Sequence, residues 1–367
     1  MRSPHSFTVS VRRADGRIVV RESRWVSLSD RVPFLKWPFL RGSIVLLESL
    51  HNGISALTWS ANVAEQGEAM KKAAEAADSA EEGASGLASP PAPVGGASGP
   101  DSPSGPDSPD ATTEKPAGLP APALWATIGL AAVMAIGLFA LLPHLLTWLI
   151  GLATDSETLQ GGQGLGFHLV DGAVKMVILV GYMAAISLLP DVKRLFQYHG
   201  AEHRSIHAYE NDMELSVESA QGFSSIHERC GTAFLLLVLL VAVLVFSLVF
   251  PFVPAPTGSA LLNQVIFVGI KIPLLFPIGG VAYEVLRLAG KYPKNLVLRT
   301  LIGPGLALQR ITTRPPDDGQ VEVAIISILK TLWRERVGGE LPGDERDYGS
   351  LEEFRKSLEG PDVQQAG

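Results

Sequence analysis

The segment Tyr198-His199-Gly200-Ala201-Glu202-His203-Arg204-Ser205-Ile206-His207-Ala208-Tyr209-Glu210 gathers imidazoles and carboxylates around the pattern His-x-x-Glu-His. In a helix, where each residue turns by about 100°, His199, His203 and Glu210 fall within one narrow arc, with His207 at one margin and Glu202 at the other. Neutral imidazoles four residues apart can share one divalent cation, and a carboxylate beside them that does not ligate can take a proton from a water held there. The face therefore predicts metal-assisted hydrolysis or transfer, with His199 and His203 as ligands, Glu202 as general base and zinc as the ion. The competing reading is a polar helix end just outside a membrane, its histidines merely solvated.

What must position these residues follows from composition. The 367 residues are 47% hydrophobic with a formal net charge of -7, and mean hydropathy is positive; this suits neither a purely soluble enzyme nor a nucleic-acid binder. The single cysteine, Cys230, excludes an internal disulfide framework and leaves ligation, reactivity or simple burial. Met1-Arg2-Ser3-Pro4-His5 leads into alternating residues, so no signal peptide is expected at the start.

Along the chain, alternation in 7–13 and 17–21 around Ala14-Asp15-Gly16 predicts a β-hairpin. After a link rich in aromatic and basic residues, Ser43 to Asn62 reads as an amphipathic helix on the inner membrane surface or against the bundle, closing a first region, 1–63. Residues 64–123, dominated by Ala, Ser, Pro, Gly and acidic residues, read as a disordered linker that carries much of the negative charge. Four apolar segments follow in 124–290: Leu124 to Leu152, Phe167 to Pro190, Thr232 to Val253, and Leu261 to Val285, the last interrupted by Lys271, Pro273 and Pro277. Residues 291–337 supply two more cytoplasmic helices, and 338–367 reads as a loose polar tail. The fold class is thus a mainly α-helical polytopic membrane protein with about four transmembrane helices, a small N-terminal β-hairpin and cytoplasmic amphipathic helices.

Orientation comes from Lys and Arg. The loop 153–166 has none and the loop 254–260 has no charge, whereas the N-terminal region, the loop carrying the histidines and the stretch after the fourth segment are basic. By the positive-inside rule both termini and the His-x-x-Glu-His segment face the cytoplasm of a bacterial inner membrane.

A catalytic zinc takes three protein ligands and an open position. His227 and Cys230, three residues apart where the third segment leaves the cytoplasm, are favoured to complete the set. Glu284, at the cytoplasmic end of the fourth segment, is the rival; its bland reading is an ion pair with Arg287. His207 and Glu210 are additional candidates. Lys271 lies near the expected bilayer midplane, which predicts either a functional pocket or snorkelling, with Asp171 as its obvious partner.

Two resemblances bear on these residues. His199-x-x-Glu202-His203 is similar to the inverted zinc motif of the inverzincin metallopeptidases, in which a distant glutamate also ligates; Glu284 would occupy that role. Tyr198-His199-Gly200-Ala201-Glu202-His203, His227-x-x-Cys230-Gly231-Thr232 and Gly305-Leu306-x-Leu308-Gln309-x-x-Thr312-Thr313-Arg314-x-Pro316, followed by Glu322-Val323-Ala324, resemble the YqhQ-like bacterial membrane proteins. So do Met1-Arg2-Ser3-Pro4 and the Arg41-Gly42-Ser43 to Glu48-Ser49-Leu50 stretch. The resemblance covers nearly the whole chain outside the linker. It implies a membrane protein of a family of unknown function commonly described as metal-dependent enzymes. Such proteins usually carry a Gly-Gly-Gln-rich segment ahead of the Met-Arg-Ser-Pro equivalent; here the start lies further upstream or part of the N-terminal module is missing.

Three functions follow as expectations: a membrane metalloenzyme acting on a lipid, peptide or membrane-associated substrate; a scaffold or assembly factor with a structural metal or none; and, more weakly supported, a transporter, for which no internal repeat is seen. Membrane lipid is the expected partner, with protein partners or a homo-oligomer admissible. No nucleic acid is expected, and no nucleotide: the chain lacks a Gly-x-x-x-x-Gly-Lys loop, and Gly161-Gly162-Gln163-Gly164 falls on the wrong side of the membrane.

Overall fold

A computed structural model describes residues 1–85, 121–160, 164–254, 256–292, 294–338 and 344–359. In chain order these form strands β1 (Ser6–Arg12) and β2 (Ile18–Arg24), helices α1 (Leu28–Arg31) and α2 (Leu40–Ser85), then α3 (Ala121–Ile136), continued through a π turn into α4 (Leu142–Ala153). Helices α5 (Glu157–Gln160), α6 (Leu165–Ile186), α7 (Pro190–Glu210), α8 (Val217–Gln221), α9 (Gly231–Val249), α10 (Ala260–Lys291), α11 (Leu296–Thr312) and α12 (Asp318–Val337) follow, and β3 (Glu345–Tyr348) and α13 (Leu351–Leu358) complete the fold.

Among the described residues, four helical stretches are long and apolar enough to cross a membrane: Gly129–Ala153, Leu165–Ile186, Gly231–Phe252 and Gly269–Lys291. Such lengths match a hydrocarbon layer of about 30 Å. The fourth is not broken at its prolines; α10 runs on through Pro273 and Pro277. Helix α2 packs its first turns along it. Arg41 grips Glu284, the Ser43 hydroxyl donates to the Phe276 carbonyl, and Gly280 admits the Phe39 carbonyl oxygen to within 1.7 Å of where a Cβ would stand.

The extramembrane layer is built on α12. The Asp317 side chain accepts from the Gln320 amide while the Gln320 side chain returns to the Asp317 amide, a reciprocal cap that starts the helix. One face of α12 buries Val321, Ala324, Ile325 and Ile328 against Ala201 and Ala208 of α7. The other carries Val323 and Ile326 onto Ile18 and Val20 of β2. Alternation along β2 sends Val19 to the opposite face, against Trp59 and Val63 of α2.

Two expectations are corrected. The linker does not begin at residue 64: α2 continues to Ser85, because Ala64 to Ser85 is rich in Ala, Glu and Lys, good helix formers, and carries a Lys71–Glu75 pair at 4.0 Å. The rest of the expected linker up to 120 lies outside the described residues. The tail is not uniformly loose. β3 pairs antiparallel with β2, making a sheet of order β1-β2-β3, and Tyr348 and Phe354 join the α12 core. Burial of two aromatic rings outweighs the polar character of their neighbours.

Candidate metal centre

Helix α7 opens with Pro190 in its first turn, where a missing N–H costs nothing, and presents its histidine stripe to the connections 211–230 and 313–317. A Cβ at Gly200 would stand 2.1 Å from the Arg314 carbonyl oxygen, so only glycine lets the turn after α11 lie directly on the helix. The Arg314 amide fastens that turn to the Phe196 carbonyl at 2.9 Å. The approach brings the Thr312 carbonyl to His199 Nδ1 at 2.8 Å, and the Ser225 carbonyl meets His203 Nδ1 at 2.6 Å. With Nδ1 donating to a carbonyl, each ring's lone pair resides on Nε2. Anchoring one ring nitrogen in this way is what orients a metal-binding imidazole. Arg204 steadies the Ser225 side, donating to Ser225 Oγ at 3.0 Å and to the Gln221 carbonyl at 3.0 Å.

Cys230 caps the N-terminus of α9. Its Sγ lies 3.2 Å from His199 Nε2 and 3.1 Å from Thr232 Oγ1. One donor atom each from His199, His203 and Cys230 lie within 4.8 Å of one another. Burial alone pushes the thiol upward, but hydrogen bonds from His199 and His203 outweigh it and bring Cys230 down to about 5. Burial disfavours the His199 imidazolium; the Cys230 sulfur more than offsets this, and His199 is raised. The contact between His199 Nε2 and Cys230 Sγ thus moves the two groups in opposite directions, the thiol down and the imidazole up.

His227 joins a different group. One donor atom each from His207, Glu210 and His227 also lie within 4.8 Å of one another. His207 Nε2 meets the Ile226 carbonyl at 2.9 Å, His227 Nε2 meets Glu210 Oε2 at 3.2 Å, and Arg229 Nη1 donates to Glu210 Oε1 at 2.9 Å. Burial lowers the His227 pKa, with Glu210 opposing in part. Gln309 of α11, fully buried, accepts from the His227 amide and donates to its carbonyl, both at 2.8 Å.

The remaining candidates sit elsewhere. Glu284 is taken by a two-pronged ion pair with Arg41, at 2.6 and 2.5 Å, rather than with Arg287; helices α2 and α10 meet there because Gly42 and Gly280 let them touch. Glu202 is half-buried on the flank of α7, its charge acting on His199 and on the Met1 ammonium group. Lys271 lies toward the other end of the bundle, its ammonium over the rings of Phe250 and Phe246 at 5.0 and 5.6 Å. Sequence reasoning missed the positioning groups: the Thr312 and Ser225 carbonyls, Gln309 and Arg229. Of these only Gln309 and Thr312 stood in a motif, Gln309-x-x-Thr312-Thr313-Arg314.

Both groups lie inside the region of the chain that matches a known family. Residues 37–334 match the family described as "Protein of unknown function (DUF1385)". The chain belongs to the DUF1385 family. A curated member-like relative, "Uncharacterized protein YqhQ" of Bacillus subtilis (strain 168), is 39% identical over 166 residues, covering 45% of this chain and 49% of the relative. The chain thus matches about half the length of that relative. No solved structure matches this DUF1385 chain significantly.

Proposed function

We propose that this DUF1385 protein is a membrane-embedded, metal-dependent enzyme of hydrolase type, with its centre at the cytoplasmic face of a bacterial inner membrane. The observation that carries the reading is the convergence of His199, His203 and Cys230 with each imidazole anchored through Nδ1 to a backbone carbonyl. The donor set fits zinc: two imidazoles and a thiolate suit a borderline-soft ion. Zinc bond lengths of about 2.1 Å to nitrogen and 2.3 Å to sulfur put tetrahedral ligands about 3.5 Å apart, close to the 3.2 Å between His199 Nε2 and Cys230 Sγ. When bound, zinc supplies Lewis acidity and lowers the pKa of a coordinated water.

Glu202 serves as general base from the flank of α7, on the side of the half-buried His199. The lack of Lys and Arg in the loops 153–166 and 254–260 supports cytoplasmic termini and a cytoplasmic site. A site at the mouth of the bundle suits a membrane lipid, or a peptide held at the membrane, as substrate. Elemental analysis of the full-length protein in detergent should find zinc, and His203→Ala should lose the ion seated with Cys230. Glu202→Gln should abolish complementation of a deletion strain while leaving metal content intact; a fully functional variant would remove the base.

One observation favours a second reading, a scaffold with a structural metal. His203 and Cys230 are only 4% and 6% exposed, and structural zinc sites are closed. Full complementation by His199→Ala and His203→Ala variants would select it.

A further inference from the structure

We infer that His207, Glu210 and His227 hold a second divalent cation beside the first, making this a two-cation centre. The inference extends the metal reading of His199, His203 and Cys230 and rests on it for the first cation only. His207 continues the stripe of α7 one turn beyond His203, and the ring centroids of His203 and His227 are 5.6 Å apart, so the two groups adjoin without sharing a residue.

The second group has the features that make a ligand set rather than a solvated cluster. His207 gives its Nε2 hydrogen to the Ile226 carbonyl, which leaves the Nδ1 lone pair to ligate. His227 is fixed by Gln309, which occupies both its backbone amide and its carbonyl. Glu210 is oriented by Arg229 through one carboxylate oxygen and turns the other to His227. The 3.2 Å between that oxygen and His227 Nε2 is close to the roughly 3.3 Å that bonds of about 2.0–2.1 Å impose on neighbouring tetrahedral ligands.

Ligation replaces the His227–Glu210 hydrogen bond. The ring proton of His227 moves from Nε2 to Nδ1, and the longest contact of the group, the Arg229 amide at 3.3 Å from His227 Nδ1, gives way. The two sets differ in chemistry. The first contains a thiolate; the second, two imidazoles and a carboxylate, is harder and accepts zinc, cobalt or manganese.

That difference supplies the test. The full-length protein, stripped with chelator, is titrated with Co(II) and read by elemental analysis and absorbance. Because Cys230 is the single cysteine, only the first site can give a thiolate-to-cobalt charge-transfer band. Two ions per chain are expected, one of them producing the band. His207→Ala, and Glu210→Gln as the variant that conserves shape, should each lose one ion and keep the band; Cys230→Ser should lose the band and keep one ion. A wild-type protein that takes one ion with the band, or a His207→Ala variant that still takes two, overturns the second site and leaves the first standing. An ion lost on His207→Ala from a protein that never shows the band overturns the first and keeps the second. A folded protein that takes none overturns both.

Discussion

Each end of the helical bundle buries a cluster of ionisable side chains, and the two differ in how their rings and carboxylates are held. At the α7 end the donors are imidazoles, a cysteine sulfur and a carboxylate, and the spare ring nitrogens of His199, His203 and His207 are directed to backbone carbonyls. At the other end, around the first turns of α6, the compensation is a side-chain ion pair. Asp171 Oδ2 lies 2.5 Å from Lys175 Nζ one turn on, His168 and Asp171 are buried, and Lys271 rests on aromatic faces. A carbonyl anchor neutralises no charge; it fixes a neutral ring and leaves the lone pair on its other nitrogen. A lysine neutralises the carboxylate it meets. The comparison teaches that buried polar residues in a membrane protein divide by how they are held: the first cluster is oriented by backbone carbonyls, while the second sets one carboxylate oxygen against a lysine and leaves Asp171 Oδ1 and His168 Nε2 without a hydrogen-bond partner among the described residues.

The largest expected effect separates the clusters outright. Cys230→Ser removes a proposed ligand and should weaken metal retention by more than the about 10–100-fold typical of losing an outer partner, measured by competition with a chelator; Lys271→Met should leave retention unchanged. Next, Asp171→Asn strands Lys175 inside a span and should destabilise the fold by about 3 kcal/mol, seen as a lowered denaturation midpoint in detergent with metal content preserved. An unaltered midpoint would show that the pair is not what compensates that end.

Gly200→Ala comes third. The new methyl meets the Arg314 carbonyl oxygen, so about 1–3 kcal/mol of overpacking strain is expected, together with weaker metal binding as Thr312 withdraws from His199. Loss of stability without loss of affinity would break the link drawn between that glycine and the site.

The smallest effect is a titration. In the chelator-stripped protein the absorbance of the Cys230 thiolate should persist as pH falls and disappear near pH 5, since a thiol whose pKa is depressed stays ionised until pH drops through the lowered value. His199→Ala should move the transition upward toward the ordinary thiol range. A wild-type transition near 9 would deny that His199 stabilises the thiolate.

Periodicity carried much of this protein. The stripe His199, His203, His207 and Glu210 is visible because residues three and four apart share a helix face; the Asp15-Gly16 hairpin and the four spans are visible because a turn dipeptide and an apolar run are local signals. The same reading stopped α2 near residue 62 and left the tail loose. Alanine and glutamate look alike in a helix and in a linker, and a strand such as Glu345–Tyr348 is made by its partner β2, not by its own composition.

Residue type and local spacing therefore settled by themselves which side chains were available: imidazoles and two carboxylates on α7, and a lone cysteine at the foot of α9. Tertiary structure alone decided how they were shared. Cys230 went to His199 and His203, His227 went to His207 and Glu210, and Glu284 went to Arg41. The reason is that each partnership joins segments that no single helical period relates, and the contact that aligns them, such as the Arg314 carbonyl on Gly200 or Gln309 on His227, leaves no period in the sequence.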